Sequence, residues 1–407
     1  MVIPVAYIII KVYVEERVAS FDPKTALASP EVPQPDIADA DNAALLYIDA
    51  FTTMQQAPIE MILIRRWLPP FDRSWWTAVA IAERRNAECL KLIARATSLP
   101  SCNWKQALAQ RPDPDEPRPT FNAITLLTQT ATYAHLKGDD TTALRRLCDA
   151  AALVQRAPEP LRVAMIRENR IHLYATTILI APELKLSTDE DRALARELVD
   201  RLQSVRLAAM SAVVIESNPD FDGMGFHWDP FSVRLELMAL FKDVRRVKSA
   251  MDTAANPGIA WLLTDNIPLE FKRSPRHSRD VILPDYPRYQ FLHSAASVSL
   301  ATRLFVHDHS RLPNQLSELT PTYLPKLPID PYDKTGAPLR YLVTRHRDGQ
   351  PRPILYSVGR DQSDDIAAGR VSMIGSAFFP NRQTLPDVLV DLLPRSPLGE
   401  DRSAPSP

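Results

Sequence analysis

Apolar residues recur at spacings of three and four along most of the first three hundred positions, the period of a helix with one buried face. The pattern is clearest where Phe121, Ile124, Leu127, Ala131 and Ala134 form one stripe and Leu144, Leu147, Cys148 and Ala151 form another. Lys137-Gly-Asp-Asp140 lies between them as a turn, so the spacing predicts an antiparallel helical hairpin. A further helix is expected from Asp41, as its N-cap, to Phe51. Another runs from Trp75 to Ala96, with Ala78, Ile81, Ala82, Leu90 and Ile93 inward. Arg162 to Ile180 reads as helical too. Ser187-Thr-Asp-Glu190 forms a capping box that opens a helix lined by Leu194, Leu198 and Leu202. Pro230 to Val247 adds one more.

Near residue 290 the texture changes. Phe291, Ala295, Val298, Thr302 and Phe305 form the inward stripe of a last helix ending near His309. After it, Leu339, Tyr341 and Val343 alternate with polar neighbours, as do Ile354, Tyr356 and Val358. Asp348-Gly349 supplies a hairpin turn between two strands. The expected fold is therefore mainly α, a helical array, followed by a small α+β C-terminal module with an antiparallel hairpin. Five stretches follow from this reading: an apolar N-terminal segment (1–17), a linker (18–40), a helical domain (41–285), the C-terminal module (286–370) and a largely irregular tail (371–407).

Composition supports the helical body. The chain has 407 residues, enough for two or three domains, yet only 10 glycines and 37 prolines. Glycine is costly inside a helix, and proline punctuates helices with stiff connections. The net charge of −1 gives no field to attract nucleic acid. Cys89, Cys102 and Cys148 are too scattered for a disulfide framework or a zinc site, and read as buried thiols. Val2 to Val14 is apolar apart from Lys11. It is shorter than a membrane-spanning helix and lacks a cleavable leader, so it reads as the stump of a membrane anchor, with a buried strand as the alternative.

Few stretches carry chemistry. Asn218-Pro-Asp-Phe-Asp-Gly223 with Asp229 has oxygen spacing like an EF-hand loop, though Asp229 also serves as the cap of a helix opened by Pro230. His307 and His309 are two apart, so on a helix they point to different faces and do not chelate together. Asp139, Asp140 and Asp149 read as solvated helix surface. No nucleophile elbow, phosphate-cradling glycine loop or activated cysteine is present. A non-enzymatic role is the expectation.

Two resemblances add to this. The hairpin at 121–151, with Gly138, Ala143 and Ala151 at small-residue positions, resembles a single tetratricopeptide unit, and no second copy follows it. The second resemblance covers roughly a fifth of the chain. Arg311-Leu-Pro313, Leu327-Pro-Ile-Asp-Pro-Tyr332, Gly336-Ala-Pro-Leu-Arg-Tyr341, Tyr356-Ser-Val-Gly-Arg-Asp361 and Asp365-Ile366 follow one another in fixed order. In this order they resemble the globular C-terminal part of the type II secretion major pseudopilin. The joining of such a part to a helical body is similar to a class of planctomycete-type envelope proteins. The resemblance implies a cell-envelope location, and a closing loop that holds calcium through Ser357, Asp361, Asp364 and Asp365; an acidic surface loop is the plainer alternative. Because the module lies far from the N-terminus, a role as filament subunit is not expected. The leading expectation is a membrane-tethered or exported protein that binds a protein partner. A hydrolase with its site in the helical body and a cytoplasmic helical adaptor stand as alternatives.

Overall fold

The computed structural model describes residues 36–55, 73–111, 118–156, 163–204, 279–333, 335–345, 349–359, 364 and 388–392. Residues 34–207 and 288–407 form one compact unit. A second unit, 1–33 with 208–287, contributes only the opening turns of the last helix to the described residues. The helix expected over 230–247, the oxygen-rich loop at 218–229 and the apolar N-terminal segment all lie outside the described residues. No helix among the described residues is long and apolar enough to cross a membrane.

The fold is mainly α with a small antiparallel sheet near the C-terminus. Among the described residues, the first four helices are α1 (Ala43–Thr53), α2 (Arg73–Arg85), α3 (Ala87–Ser98) and α4 (Trp104–Gln110). They are followed by α5 (Arg118–Leu136), α6 (Asp140–Arg156), α7 (Val163–Ile180), α8 (Asp189–Ser204) and α9 (Arg279–His309). The strands are β1 (Arg340–Arg345), β2 (Pro351–Ser357) and β3 (Val388–Asp391).

Helices α5 and α6 form the expected hairpin. Both apolar stripes are buried, and Gly138 makes the turn at φ +84°, a conformation that favours glycine. Burying each Leu or Ile of these stripes contributes about 1.5–3 kcal/mol. Trp75 of α2 donates its indole N–H to Gln129 of α5 at 3.0 Å. Tyr47 and Phe51 of α1 stack with Trp104 of α4, with ring centroids 5.9–6.5 Å apart.

Three helix boundaries differ from the sequence expectation, each for a local reason. Asn42, not Asp41, caps α1: its Oδ1 accepts from Ala44 N at 3.1 Å and from Asn103 N at 2.9 Å. The same side chain donates to Asn103 O, so the start of α1 is tied to the start of α4. The helix expected from Trp75 to Ala96 is two helices broken at Asn86. That buried amide donates to Ala82 O and exchanges hydrogen bonds with the backbone of Gln55. The capping box of α8 is shifted by one residue: Asp191 N donates to Thr188 Oγ1, and Thr188 N to Asp191 Oδ2, both at 3.0 Å.

The sheet has the order β1-β2-β3 with both pairings antiparallel. Arg340 faces Tyr356 at one end of the β1–β2 ladder and Arg345 faces Pro351 at the other. Central strand β2 buries both faces, Leu355 as well as Ile354 and Tyr356, so the outward half of the expected alternation is not solvated. Strand β3 lies within the stretch expected to be irregular; its Val390 and the following Leu392 enter the core. The inward stripe of α9 from Phe291 to Phe305 is buried throughout. Leu339, Leu355, Val390 and Leu392 join the same hydrophobic cluster as this stripe and the α5–α6 hairpin. The change in sequence texture near 290 is thus a change of building style inside one core.

Candidate functional site

The C-terminal module is organised around one carboxylate. Pro328 O accepts from Leu339 N and Ala337 O accepts from Asp330 N, which folds 328–339 back on itself and turns Asp330 inward. Its side chain is 0% exposed. Oδ1 accepts from Tyr332 N at 2.9 Å and from the Ser357 hydroxyl at 2.6 Å. Oδ2 accepts from Val358 N at 3.1 Å and from Arg340 Nη1 at 3.1 Å. Burial pushes the Asp330 carboxyl up, and these bonds with the Arg340 charge only partly offset it.

Arg340 gathers two further carboxylates. Its Nη2 lies 3.2 Å from Asp333 Oδ2, and its Nε lies 3.1 Å from Asp364 Oδ2. Burial works to raise Asp333, but bonds from Thr335 and Arg340 outweigh it and hold its pKa below the usual value. The guanidinium fork suits this task, since it presents several donors in fixed directions. Asp364 also accepts from the Tyr356 hydroxyl at 3.4 Å.

Of the residues that the resemblance names for calcium, Ser357 and Asp364 are described, and Asp361 and Asp365 lie outside the described residues. Ser357 is fully buried; it donates to Asp330 and accepts from Gly359 N at 3.2 Å. Asp364 is engaged by Arg340 and Tyr356. The described half of the set is therefore engaged by protein partners. Among the described residues, no group of three or more His, Cys, Asp or Glu is arranged to hold a metal. His307 pairs with Asp308, while His309 packs against Phe305 and Tyr323. Asp330 and Arg340 were both within quoted motifs, yet nothing in the spacing shows that the acid 27 residues before Ser357 is its partner.

The outer edge of β1 has a different character. Among the described residues, the exposed large apolar side chains are Ile329 at 41%, Leu342 at 36% and Val343 at 41%. Two are on β1, and the third makes an isolated bridge to Pro338 just ahead of it. Among the described residues, β1 has β2 on one side only.

A second polar cluster joins the α5–α6 turn to the segment before α8. His135 Nδ1 is 2.7 Å from Asp140 Oδ1, and Nε2 is 3.8 Å from Glu183. Asp140 Oδ2 accepts from Lys185 N at 2.8 Å. This corrects the reading of Asp140 and Asp149 as solvated surface: Asp140 is buried against His135 and the Lys185 backbone, Asp149 is half-buried, and of the three acids only Asp139 is exposed. The cysteines are free thiols; burial pushes Cys89 up to about 12 and Cys102 to about 11, and raises Cys148 as well. Compared with protein-family models, curated proteins and solved structures, the chain matches none.

Proposed function

We propose that this chain is a non-enzymatic, envelope-associated protein that binds an extended segment of a partner protein along the outer edge of β1. One observation carries the reading: exposed Leu342 and Val343 sit on a strand that, among the described residues, has a neighbour on one side only. Such an edge is a template for another strand, because its backbone groups are free to pair while the side chains give apolar contact. The Asp330–Arg340 network stiffens the hairpin behind it, so little ordering is required when a strand is added. The apolar run from Val2 to Val14 and the likeness to pseudopilins support the envelope location.

Several described groups suited to acid–base or nucleophilic work are committed elsewhere, which favours binding over catalysis. His135 and Asp140 hold each other, Ser357 holds Asp330, and the thiols are kept protonated by burial. A photo-cross-linking residue placed at Val343 in the full chain, in the cells that make it, tests the reading. The expected result is a discrete protein adduct in the envelope fraction, lost with Leu342→Asp. Recovery in the cytosolic fraction with no adduct contradicts it.

A further inference from the structure

Two contacts link α9 to α7 and the segment that follows it. The ring of Tyr174 meets that of His293 with centroids 5.2 Å apart. Ten residues further along both segments, Arg303 Nε donates to Leu184 O. Both contacts join positions 119 apart, so the two segments run in the same direction. Arg170 lies one turn before Tyr174 on α7, and Gln290 one turn before His293 on α9.

This end of the interface is polar and unsatisfied. Tyr174 is 0% exposed, and its hydroxyl has no hydrogen-bond partner among the described residues; neither have the buried Arg170 Nε and Gln290 Oε1. Three such atoms on two facing helices call for a common explanation, because buried polar groups are nearly always paired. The charge of Arg170 acts on both rings. His293 donates through Nε2 to Leu202 O, which leaves Nδ1 as an acceptor. Burial first, and then Arg170, hold the His293 pKa down and keep the ring neutral.

We infer that Arg170, Tyr174, Gln290 and His293 form a binding site for a small protonated oxyanion, a hydrogen phosphate group in free or esterified form. The anion's oxygens accept from Arg170 Nε–H and from the Tyr174 hydroxyl. Its own hydroxyl donates to Gln290 Oε1 or to His293 Nδ1. One cation, two donors and one acceptor match that group, whereas sulfate at neutral pH has no proton to give.

The test is calorimetric titration of the full chain with inorganic phosphate, glycerol phosphate and sulfate, at constant ionic strength. Saturable phosphate binding is expected, at least tenfold weaker in Arg170→Met and several-fold weaker in Tyr174→Phe, with sulfate weaker than phosphate. Tighter binding of glycerol phosphate assigns the group to an ester, and tighter inorganic phosphate to the free ion. Absence of saturable binding to the wild-type chain, or equal binding in wild type and Tyr174→Phe, overturns the inference. Should Arg170→Met fail to fold, Tyr174→Phe decides alone, since it removes one hydroxyl. A higher melting temperature in Tyr174→Phe without phosphate binding to either chain means that the polar end holds water only, and also overturns it.

Discussion

Asp149 lies on α6 near Thr97, Arg146 and Arg201, and burial pushes its carboxyl up to about 6 despite those partners. The fold therefore favours the protonated form. The contribution of Asp149 is fully present below the unfolded pKa of about 3.9 and is lost as pH rises through the folded value. Asp149→Asn should stabilise the protein at neutral pH by about 1–3 kcal/mol, and should flatten the decline between about pH 4 and 6 in urea unfolding. His135 acts in a higher window. Burial opposes its charging, but hydrogen bonds and charges from Asp140 and Glu183 outweigh that and raise its pKa. Its contribution is fully present below about 6.5 and is lost as pH rises through the folded value. For Asp140, burial is outweighed by His135 and Lys185 N, so its pKa is lowered and its share is lost only in acid. His135→Gln should cost about 3 kcal/mol near pH 6, because Asp140 is left buried without its partner, and should remove the decline above that pH. Urea midpoints measured from pH 4 to 9 separate the two residues. Neither environment was legible from the sequence. An acid on a helix has the same spacing whether water or another helix covers it, and the His135–Asp140 contact exists only because Gly138 turns the chain between them.

Among the elements, those with one long apolar face were the most legible. The stripes of α5, α6 and α9 state their burial directly, since every third or fourth position must leave water. Breaks and caps were less so. Asn86 ends α2 because its amide finds Gln55, and Asn42 displaces Asp41 because it also reaches Asn103. Such partners are tertiary, and no local pattern announces them. The β1–β2 hairpin was legible from alternation and Gly349, while β3 is too short to show a period. Asp330 is the element-scale keystone, for it joins the turn at 328–339 to the end of β2. Asp330→Ala should cost about 2–4 kcal/mol, because it orphans Ser357, Val358 N and one edge of Arg340. Ser357→Ala should cost only about 1 kcal/mol. Equal costs in denaturant melts would show that the Asp330 contacts are replaceable.

At the scale of the whole molecule, the helical array and the sheet share one core. The proposed docking at β1 would therefore be backed by the core that α9 shares with the sheet. The candidate calcium set drew on Ser357 and Asp364, which belong to the Arg340 network, and sequence order alone could not show that a guanidinium stands among these acids. The edge of β1 was equally hidden. Alternation predicts which residues point one way, but not which strand is left without a neighbour. Amide hydrogen exchange across residues 340–345 tests the binding edge most directly, comparing the chain alone with the chain recovered with its cross-linked partner. The expected result is slower exchange of β1 amides in the complex, with the α5–α6 hairpin unchanged. Identical exchange along β1 in both samples, with new protection on the helices instead, would contradict it.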